Sequence, residues 1–211
     1  MNGLTRFTDR DLTVLRALSL HVRLFSQRQL ADSLFGGDIA NARRRLRQLT
    51  ELRLLKRKIT LARPLPELCG PVVHWHPDYA VPDAAHVAFL LQNRWRFQAM
   101  CSTVVYLPTC SMINHFGGRH KTSLSSQVSH DLGVAAVWLW YWANQRADVD
   151  AWRGEDWLTD NEPGQSVPDA VLVDRHEQPT MLIEFGGDYS ADRIASFHDD
   201  AAFRGLPYQI W

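Results

Sequence analysis

The charge of this chain is divided unevenly along its length. Residues 1–63 carry 14 basic and five acidic side chains, a net charge of +9, whereas residues 64–211 carry nine basic and 18 acidic side chains, a net charge of −9. Such a division indicates two parts with different partners. We expect the basic part to bind a polyanion. The acidic part is expected to hold a metal, to contact a basic partner or to do neither.

Length and composition allow two small domains, each with its own core. The chain has 211 residues, of which 45% are apolar, a typical globular composition. No window approaches the roughly 18 uncharged apolar residues of a membrane span, and residues 1–6 lack the apolar core of a signal peptide. Three scattered cysteines (Cys69, Cys101 and Cys110) indicate reduced thiols. We therefore expect a cytoplasmic protein.

Three short helices are predicted in the basic part. Thr8 is the expected N-cap of the first, and Ser26 is the expected N-cap of the second, which ends at Leu34. The third is predicted over residues 39–54, because apolar side chains recur there at intervals of three and four residues. The predicted core positions of this third helix are Ile39, Ala42, Leu46, Leu49 and Leu52.

A two-stranded hairpin is predicted after the third helix. Residues 56–61 and 72–76 have strand character, and a proline-rich loop joins them. Three helices followed by a hairpin are typical of a winged helix-turn-helix, in which the third helix enters the major groove of DNA. We assign this domain to residues 1–80.

The basic side chains fall on the elements that such a domain would present to DNA. The predicted contacts lie on the second helix, the third helix and the hairpin, where base edges and phosphates would be met. These residues are Arg28, Arg43, Arg44, Arg45, Arg47, Lys56, Arg57, Lys58 and Arg63. The alternatives are a solvated helix face without a partner and a winged helix that serves as a protein interface.

Residues 81–127 are interpreted as a connector. An amphipathic helix is predicted over residues 83–100. It is expected to brace the hairpin or to form the seam of a homodimer. The remainder of the connector carries little pattern, apart from a strand signal over residues 104–107.

The acidic part, residues 128–211, is predicted to alternate helices and strands. An aromatic-rich helix comes first, three strands follow, and a helix capped by Ser190 precedes a last strand. The predicted bounds are 132–143, 155–158, 166–174, 180–185, 190–203 and 207–211. The expected fold class is thus a two-domain α+β or α/β protein.

This order resembles the αβββαβ core of the restriction-endonuclease-like, PD-(D/E)xK fold. Pro168-Asp169 and Glu184, which one hairpin separates, stand where that family has its two metal-binding carboxylates. The resemblance implies that Asp169 and Glu184 would bind Mg²⁺, which would activate water and polarise a phosphodiester. The family's lysine, two residues after the second acid, is replaced here by Gly186.

Other polar side chains could take over the role of the missing lysine. His198 is the expected substitute base, with Lys121 as an alternative. His130, Asp131 and Asp188 are further candidates near such a site. In the opposite interpretation, Asp169 and Glu184 bind no metal, and the domain is a catalytically lapsed scaffold with no cofactor.

Over residues 8–80 and 128–211 the chain also resembles the replication-relaxation family of plasmid and mobile-element proteins. That family combines a winged helix with a nuclease-like domain that carries a Pro-Asp…Glu pattern. The resemblance implies a role at the DNA of mobile elements, in replication, transfer or transcriptional control.

Three functions follow from these patterns. The first is a sequence-specific double-stranded DNA-binding protein, regulatory or accessory, whose acidic domain supports a homodimer or a protein partner. The second is a Mg²⁺-dependent endonuclease or nickase that uses Asp169 and Glu184. The third is a DNA-binding subunit that docks on a larger enzyme.

Overall fold

The computed structural model describes residues 7–95, 98–119, 125–158 and 167–211. Within them the protein is a mixed α+β structure with two sheets. The helices are α1 (Asp9–Leu20), α2 (Gln27–Leu34), α3 (Ile39–Glu51), α4 (Ala84–Trp95), α5 (Cys110–Phe116), α6 (Val128–Asn144) and α7 (Ala191–Phe203). The strands are β1 (Phe25–Ser26), β2 (Leu55–Ala62), β3 (Val73–Trp75), β4 (Cys101–Pro108), β5 (Trp152–Gly154), β6 (Ala170–Val173), β7 (Pro179–Glu184) and β8 (Tyr208–Ile210).

The first sheet is antiparallel and has the order β1-β4-β2. β2 pairs with β4 along its whole length, from Leu55 opposite Pro108 to Ala62 opposite Cys101. Helices α1, α2 and α3 pack beside this sheet, and their apolar faces form a shared core with Tyr106 of β4. Thr8 and Ser26 cap α1 and α2 as predicted, each accepting a hydrogen bond from a backbone N–H of the first turn.

The second sheet has the order β3-β8-β7-β6-β5. β5, β6 and β7 form an antiparallel meander, and β8 lies parallel to β7 after the crossover through α7. α4 packs with α7 on one face, where Val87 and Leu91 join Ile194 and Phe197. Trp138 of α6 lies in the other, larger core.

The hairpin predicted between residues 56–61 and 72–76 does not form. β2 pairs with β4 instead, and β3 pairs antiparallel with β8 at the edge of the second sheet. The reason is tertiary: Trp75, which is buried, stacks on Tyr208 and meets His198 edge-on. The chain after β2 therefore leaves the first sheet, and its β3 and α4 pack on the second.

The domain boundaries drawn from the sequence do not follow the sheets. β3 precedes residue 80 but belongs to the second sheet, and β4 lies in the expected connector but belongs to the first. The largest hydrophobic cluster also joins the two halves, since it contains Val14 and Leu46 as well as Trp152 and Trp211.

Several local predictions need correction. The strand expected over residues 155–158 is a 3₁₀ turn, Glu155–Trp157, and the strand lies just before it as β5. The expected core residues Ile39 and Leu52 are 43% and 44% exposed, because α3 packs only through its middle positions. α5 is a helix that the sequence patterns did not predict.

Helix lengths also differ from the predictions. The helix expected over residues 83–100 ends at Trp95, and residues 96–97 lie outside the described part of the chain. α3 ends at Glu51 rather than at residue 54, and α6 begins at Val128, ahead of the predicted start. The strand predicted over residues 166–174 is β6, and Ser166 is also outside the described residues.

Arg23 joins the basic half to the acidic half. Its guanidinium lies 2.8 Å from Asp156 Oδ1, 3.4 Å from Asp131 Oδ1 and 2.9 Å from Glu155 Oε2. Arg23 is 14% exposed, and the side chains of Asp131 and Asp156 are almost fully buried. Asp131, a candidate for the acidic site, is thus a partner of Arg23.

Hydrogen bonds from two indole groups to backbone carbonyls strengthen this junction. The Trp152 indole N–H donates to His21 O at 3.1 Å, and the Trp157 indole N–H donates to Leu20 O at 3.1 Å. A Cβ atom on Gly154 would lie 2.8 Å from His21 O. The C-terminal end of α1 is therefore fixed against β5 and the turn that follows it.

No helix in the described ranges has the length and apolar character that crossing a bilayer requires.

Replacing Arg23 with alanine is expected to destabilise the protein by about 3–5 kcal/mol, because Asp131 and Asp156 would remain buried without their cation. Urea denaturation of Arg23→Ala and of wild type measures this difference. Arg16→Ala, at an exposed position of α1, is the matched control and should change stability by less than about 0.5 kcal/mol. Equal losses in the two variants would contradict this role for Arg23.

Candidate nucleic-acid interface and acidic site

Three arginines project from α3 into solvent. Asp38 caps this helix by accepting a hydrogen bond from Asn41 N at 2.9 Å. Ala42, Leu46 and Leu49 point into the core, so the intervening positions must face outwards. These outward positions hold the exposed arginines Arg43, Arg44 and Arg47.

β2, the strand that follows α3, carries further exposed basic side chains. Lys56, Arg57 and Lys58 are exposed, and Arg57 lies opposite Tyr106 of β4. Burial raises the pKa of the Tyr106 hydroxyl, while the charges of Arg57, Arg43 and Arg47 act to lower it. All three arginines thus lie around one tyrosine. We name Arg43, Arg44, Arg47, Lys56, Arg57 and Lys58 the basic surface.

Three of the predicted DNA-contacting arginines have other partners. Arg45 lies 2.6 Å from Asp11 Oδ2, and this ion pair ties α3 to α1. Arg28 is exposed but pairs with Asp32 at 2.7 Å, one turn along α2. Arg63 follows the end of β2, and its half-buried guanidinium lies over the Trp95 indole, 6.0 Å from the ring centre.

The Arg45 pair is a structural interaction. Burial of the Asp11 carboxyl acts to raise its pKa, but hydrogen bonds from Arg45 and Thr8 outweigh burial and lower it. Asp11 is 1% exposed, so its charge depends on these donors. Arg45 therefore contributes to the packing of α3 on α1, unlike its exposed neighbours.

The two predicted metal-binding carboxylates do lie together. Asp169 immediately precedes β6, and Glu184 ends the adjacent strand β7. The Asp169 N–H donates to Glu184 Oε2 at 3.2 Å. The family resemblance predicted this juxtaposition, and the antiparallel pairing of β6 with β7 produces it.

All four oxygens of these two carboxylates have partners within the protein. His130 Nε2 lies 2.6 Å from Asp169 Oδ1, and the Phe185 N–H donates to Asp169 Oδ2 at 2.7 Å. The Tyr189 hydroxyl donates to Glu184 Oε1 at 2.6 Å, and Glu184 Oε2 accepts from Asp169 N as above. Arg193 donates to the Tyr189 hydroxyl at 3.1 Å and closes the network.

Burial and the neighbouring charges shift the pKa values of His130 and Glu184 from their ordinary values. Burial acts to lower the pKa of His130, but the Asp169 carboxylate outweighs burial, and the pKa rises to about 9. Burial raises the pKa of Glu184, and the nearby Asp169 charge raises it further. At neutral pH an imidazolium therefore lies against Asp169.

The carboxylate oxygens of this site are engaged within the protein, whereas Mg²⁺ needs oxygen ligands that turn towards it. The ion takes six oxygen ligands in near-octahedral geometry, usually including several waters. Here the imidazolium of His130 already neutralises Asp169, and Glu184 is held by Tyr189. Within the described ranges, no group of three or more His, Cys, Asp and Glu side chains is arranged to hold a metal.

Leu91 of α4 lies against Gly186, the position at which the resembled family has its lysine. A Cβ atom on Gly186 would lie 2.5 Å from Leu91 Cδ1 and 2.7 Å from Leu91 Cδ2. Leu91 belongs to α4 and is fully buried. A side chain at position 186 would therefore overlap the Leu91 side chain, and a lysine there would have to displace it.

The other candidates lie elsewhere. His198 Nδ1 lies 3.2 Å from the Tyr208 hydroxyl, and its ring packs edge-on against Trp75. In the described part of the chain, the histidine that meets Asp169 is His130. Asp188 is exposed beyond Gly187, and Lys121 lies outside the described residues.

Sequence reasoning missed three residues that shape this site: Tyr189, Arg193 and Leu91. Tyr189 and Arg193 follow the second acid by five and nine positions, a spacing with no established meaning as a motif. Leu91 is one of many apolar residues in α4, and nothing local links it to Gly186.

Comparisons with known proteins give no further guide to the site: no family model matches the chain, and no similar curated protein or solved structure was found.

Gly186→Ala is expected to destabilise the protein by about 1–3 kcal/mol, because the added methyl group overpacks the contact with Leu91. Gly187→Ala is the control, since its Cβ would find its nearest neighbour at 3.8 Å. Thermal and urea denaturation compare the two. Additive losses in the double variant Gly186→Ala/Leu91→Ala would show that the two sites are independent and would contradict the proposed overlap.

Proposed function

We propose that this protein binds double-stranded DNA through the basic surface and acts as a regulatory or accessory protein. The observation that carries the proposal is the exposure of Arg43, Arg44 and Arg47 on one helix, next to Lys56, Arg57 and Lys58. Six exposed cations on two neighbouring elements, with no carboxylate in ion-pair distance within the described part of the chain, match the electrostatic footprint of a nucleic-acid-binding protein.

The order of elements supports a winged helix-turn-helix. α1, β1, α2, α3 and β2 follow one another in the chain, and β4, which comes after β3 and α4, completes an antiparallel sheet with β1 and β2. In this interpretation α3 is the recognition helix and the β2–β4 pair is the wing. The wing differs from the sequence prediction, because its second strand is β4 and residues 63–100 are inserted between the two strands.

Distinct roles follow for the two parts of the basic surface. Arginines on a helix in the major groove can pair with guanine edges, whereas cations on a wing meet phosphates. We assign Arg43, Arg44 and Arg47 to the groove and Lys56, Arg57 and Lys58 to the backbone. Arg45 is assigned to the fold because Asp11 holds it.

For the second sheet we propose a restriction-endonuclease-like core that has lost its chemistry. The order α6, β5, β6, β7, α7, β8, with β8 parallel to β7, agrees with the αβββαβ pattern. Loss of activity is supported by the internal partners of Asp169 and Glu184 and by Leu91 at the lysine position. A role at mobile-element DNA, as in the replication-relaxation family, belongs to the same proposal.

Removing any one of Arg43, Arg44 and Arg47 is expected to weaken duplex binding, because each loses a base-edge or phosphate contact. The expected loss is about 1–3 kcal/mol per arginine, or roughly 5- to 150-fold in affinity. Fluorescence anisotropy with a labelled random-sequence duplex library measures the sequence-independent part. Selection from that library identifies a preferred site.

The matched control is Arg175→Ala, which removes one exposed positive charge from the turn between β6 and β7. It should leave affinity within about twofold of wild type. The salt dependence gives an independent count of the neutralised phosphates. About five of them predict a slope of log K against log salt of −4 to −5. Binding that survives all three α3 substitutions would exclude α3 as the DNA-reading element.

We expect no cleavage of supercoiled plasmid in Mg²⁺ or Mn²⁺, because the carboxylates are held by His130 and Tyr189 and the lysine is missing. Wild type, Asp169→Ala and Glu184→Ala should give the same background of nicked circles on agarose gels. Nicking by wild type that both substitutions abolish would instead establish a metal-dependent nuclease.

A further inference from the structure

An open cavity of about 830 Å³ lies between α2, α6 and the segment that follows β2. Ligand pockets of proteins commonly have volumes of roughly 300–1,000 Å³ and mostly apolar walls with a few polar groups. Asp169, Glu184 and the residues of the basic surface do not line this cavity, so the function proposed above does not account for it.

Apolar side chains supply much of the lining. They include Leu132, Leu139 and Trp140 of α6, together with Leu65 and Val104. Ile39, at the start of α3, also lines the cavity and is 43% exposed. A ligand in the cavity would therefore cover part of this side chain.

Hydrogen bonds hold the walls together without filling the space. Gln29 Nε2 donates to Leu132 O at 2.8 Å and ties α2 to α6. The Arg63 N–H donates to Ser129 Oγ at 2.9 Å and ties the segment after β2 to the same helix. The cavity therefore has a preformed shape, which lowers the entropy that binding must overcome.

The charges around the cavity cancel. Its lining contains two cations, Arg28 and Arg63, and two anions, Asp32 and Glu67. Arg28 and Asp32 already form an ion pair at 2.7 Å. The other two charges, Arg63 and Glu67, are of opposite sign, so the lining has no net charge to offset the cost of burying a charged ligand. The hydroxyls of Ser26, Ser33 and Ser102 offer hydrogen bonds to a neutral polar edge.

The geometry points to a binding site for an uncharged, largely apolar and aromatic small molecule between α2 and α6. Trp140 supplies an aromatic face for such a ligand. The ligand would contact α2, which packs against the DNA-reading helix α3, and α6, which begins the second half of the protein. Binding is a property of the protein alone and does not depend on the DNA-binding proposal.

Two fluorescent probes that differ by one charge test the site and its ligand class. N-phenyl-1-naphthylamine is neutral, and 8-anilinonaphthalene-1-sulfonate is its anionic counterpart. Titration of the full chain without DNA should show saturable binding of the neutral probe at one site. The neutral probe should bind this site at least tenfold more tightly than the sulfonate.

Filling the cavity should abolish that site. Ala136→Trp places an indole on the α6 wall and should weaken the neutral probe at least tenfold. Ala143→Trp, at an exposed position of the rim, gives a second variant if Ala136→Trp lowers stability. Ala202→Trp, at an exposed position of α7, is the matched control and should leave binding unchanged. Circular dichroism confirms folding of each variant.

Three results would overturn the inference. They are the absence of saturable binding, a neutral-probe affinity that neither filling variant reduces, and equal affinity of both probes for the component that the filling variants remove. The last result would leave a cavity that binds ligands but would refute the assigned class. A loss of duplex binding in the α3 variants described above has no bearing on these outcomes.

Discussion

The pairing of β2 with β4 determines the arrangement of the rest of the molecule. Eight consecutive residue pairs join strands that are separated in the chain by residues 63–100. Because β2 and β4 are neighbours in the first sheet, the chain between them must leave that sheet and return to it. The inserted residues do so by adding β3 to the edge of the second sheet and α4 to its face.

The segment between β2 and β4 connects the two candidate functional regions. β2, which precedes it, carries the exposed Lys56, Arg57 and Lys58, and α4 within it places Leu91 against Gly186. The same strand pair thus supports the proposed DNA surface and positions the helix whose Leu91 lies against Gly186.

Electrostatics divides the arginines of the basic half into two groups. Arg23 and Arg45 bind buried carboxylates, Arg23 across the junction of the halves and Arg45 between α1 and α3. These pairs neutralise Asp11, Asp131 and Asp156, which could not otherwise remain charged in the interior. Arg43, Arg44 and Arg47 remain exposed to solvent. Part of the charge asymmetry therefore holds the fold together, and these three arginines form the exposed part.

The sequence by itself determined the local elements. Caps at Thr8, Ser26 and Ser190, the apolar spacing of α3 and the strand character of β6 and β7 depend on short-range interactions, and these elements formed near the predicted positions. The Pro168-Asp169 and Glu184 pattern also brought two carboxylates together, because a single hairpin separates them.

Only the tertiary structure decided which strands pair and which charges remain exposed. Residues 56–61 and 72–76 have strand character, but their partners lie far away in the chain, and local propensity carries no information about them. Likewise, Arg44 and Arg45 are adjacent in the sequence, but Arg45 lies on the side of α3 that faces Asp11 and pairs with it. The contact between Gly186 and Leu91 of α4 also cannot be seen in the sequence around either residue. These are contacts between distant segments, which chain folding creates and local pattern does not encode.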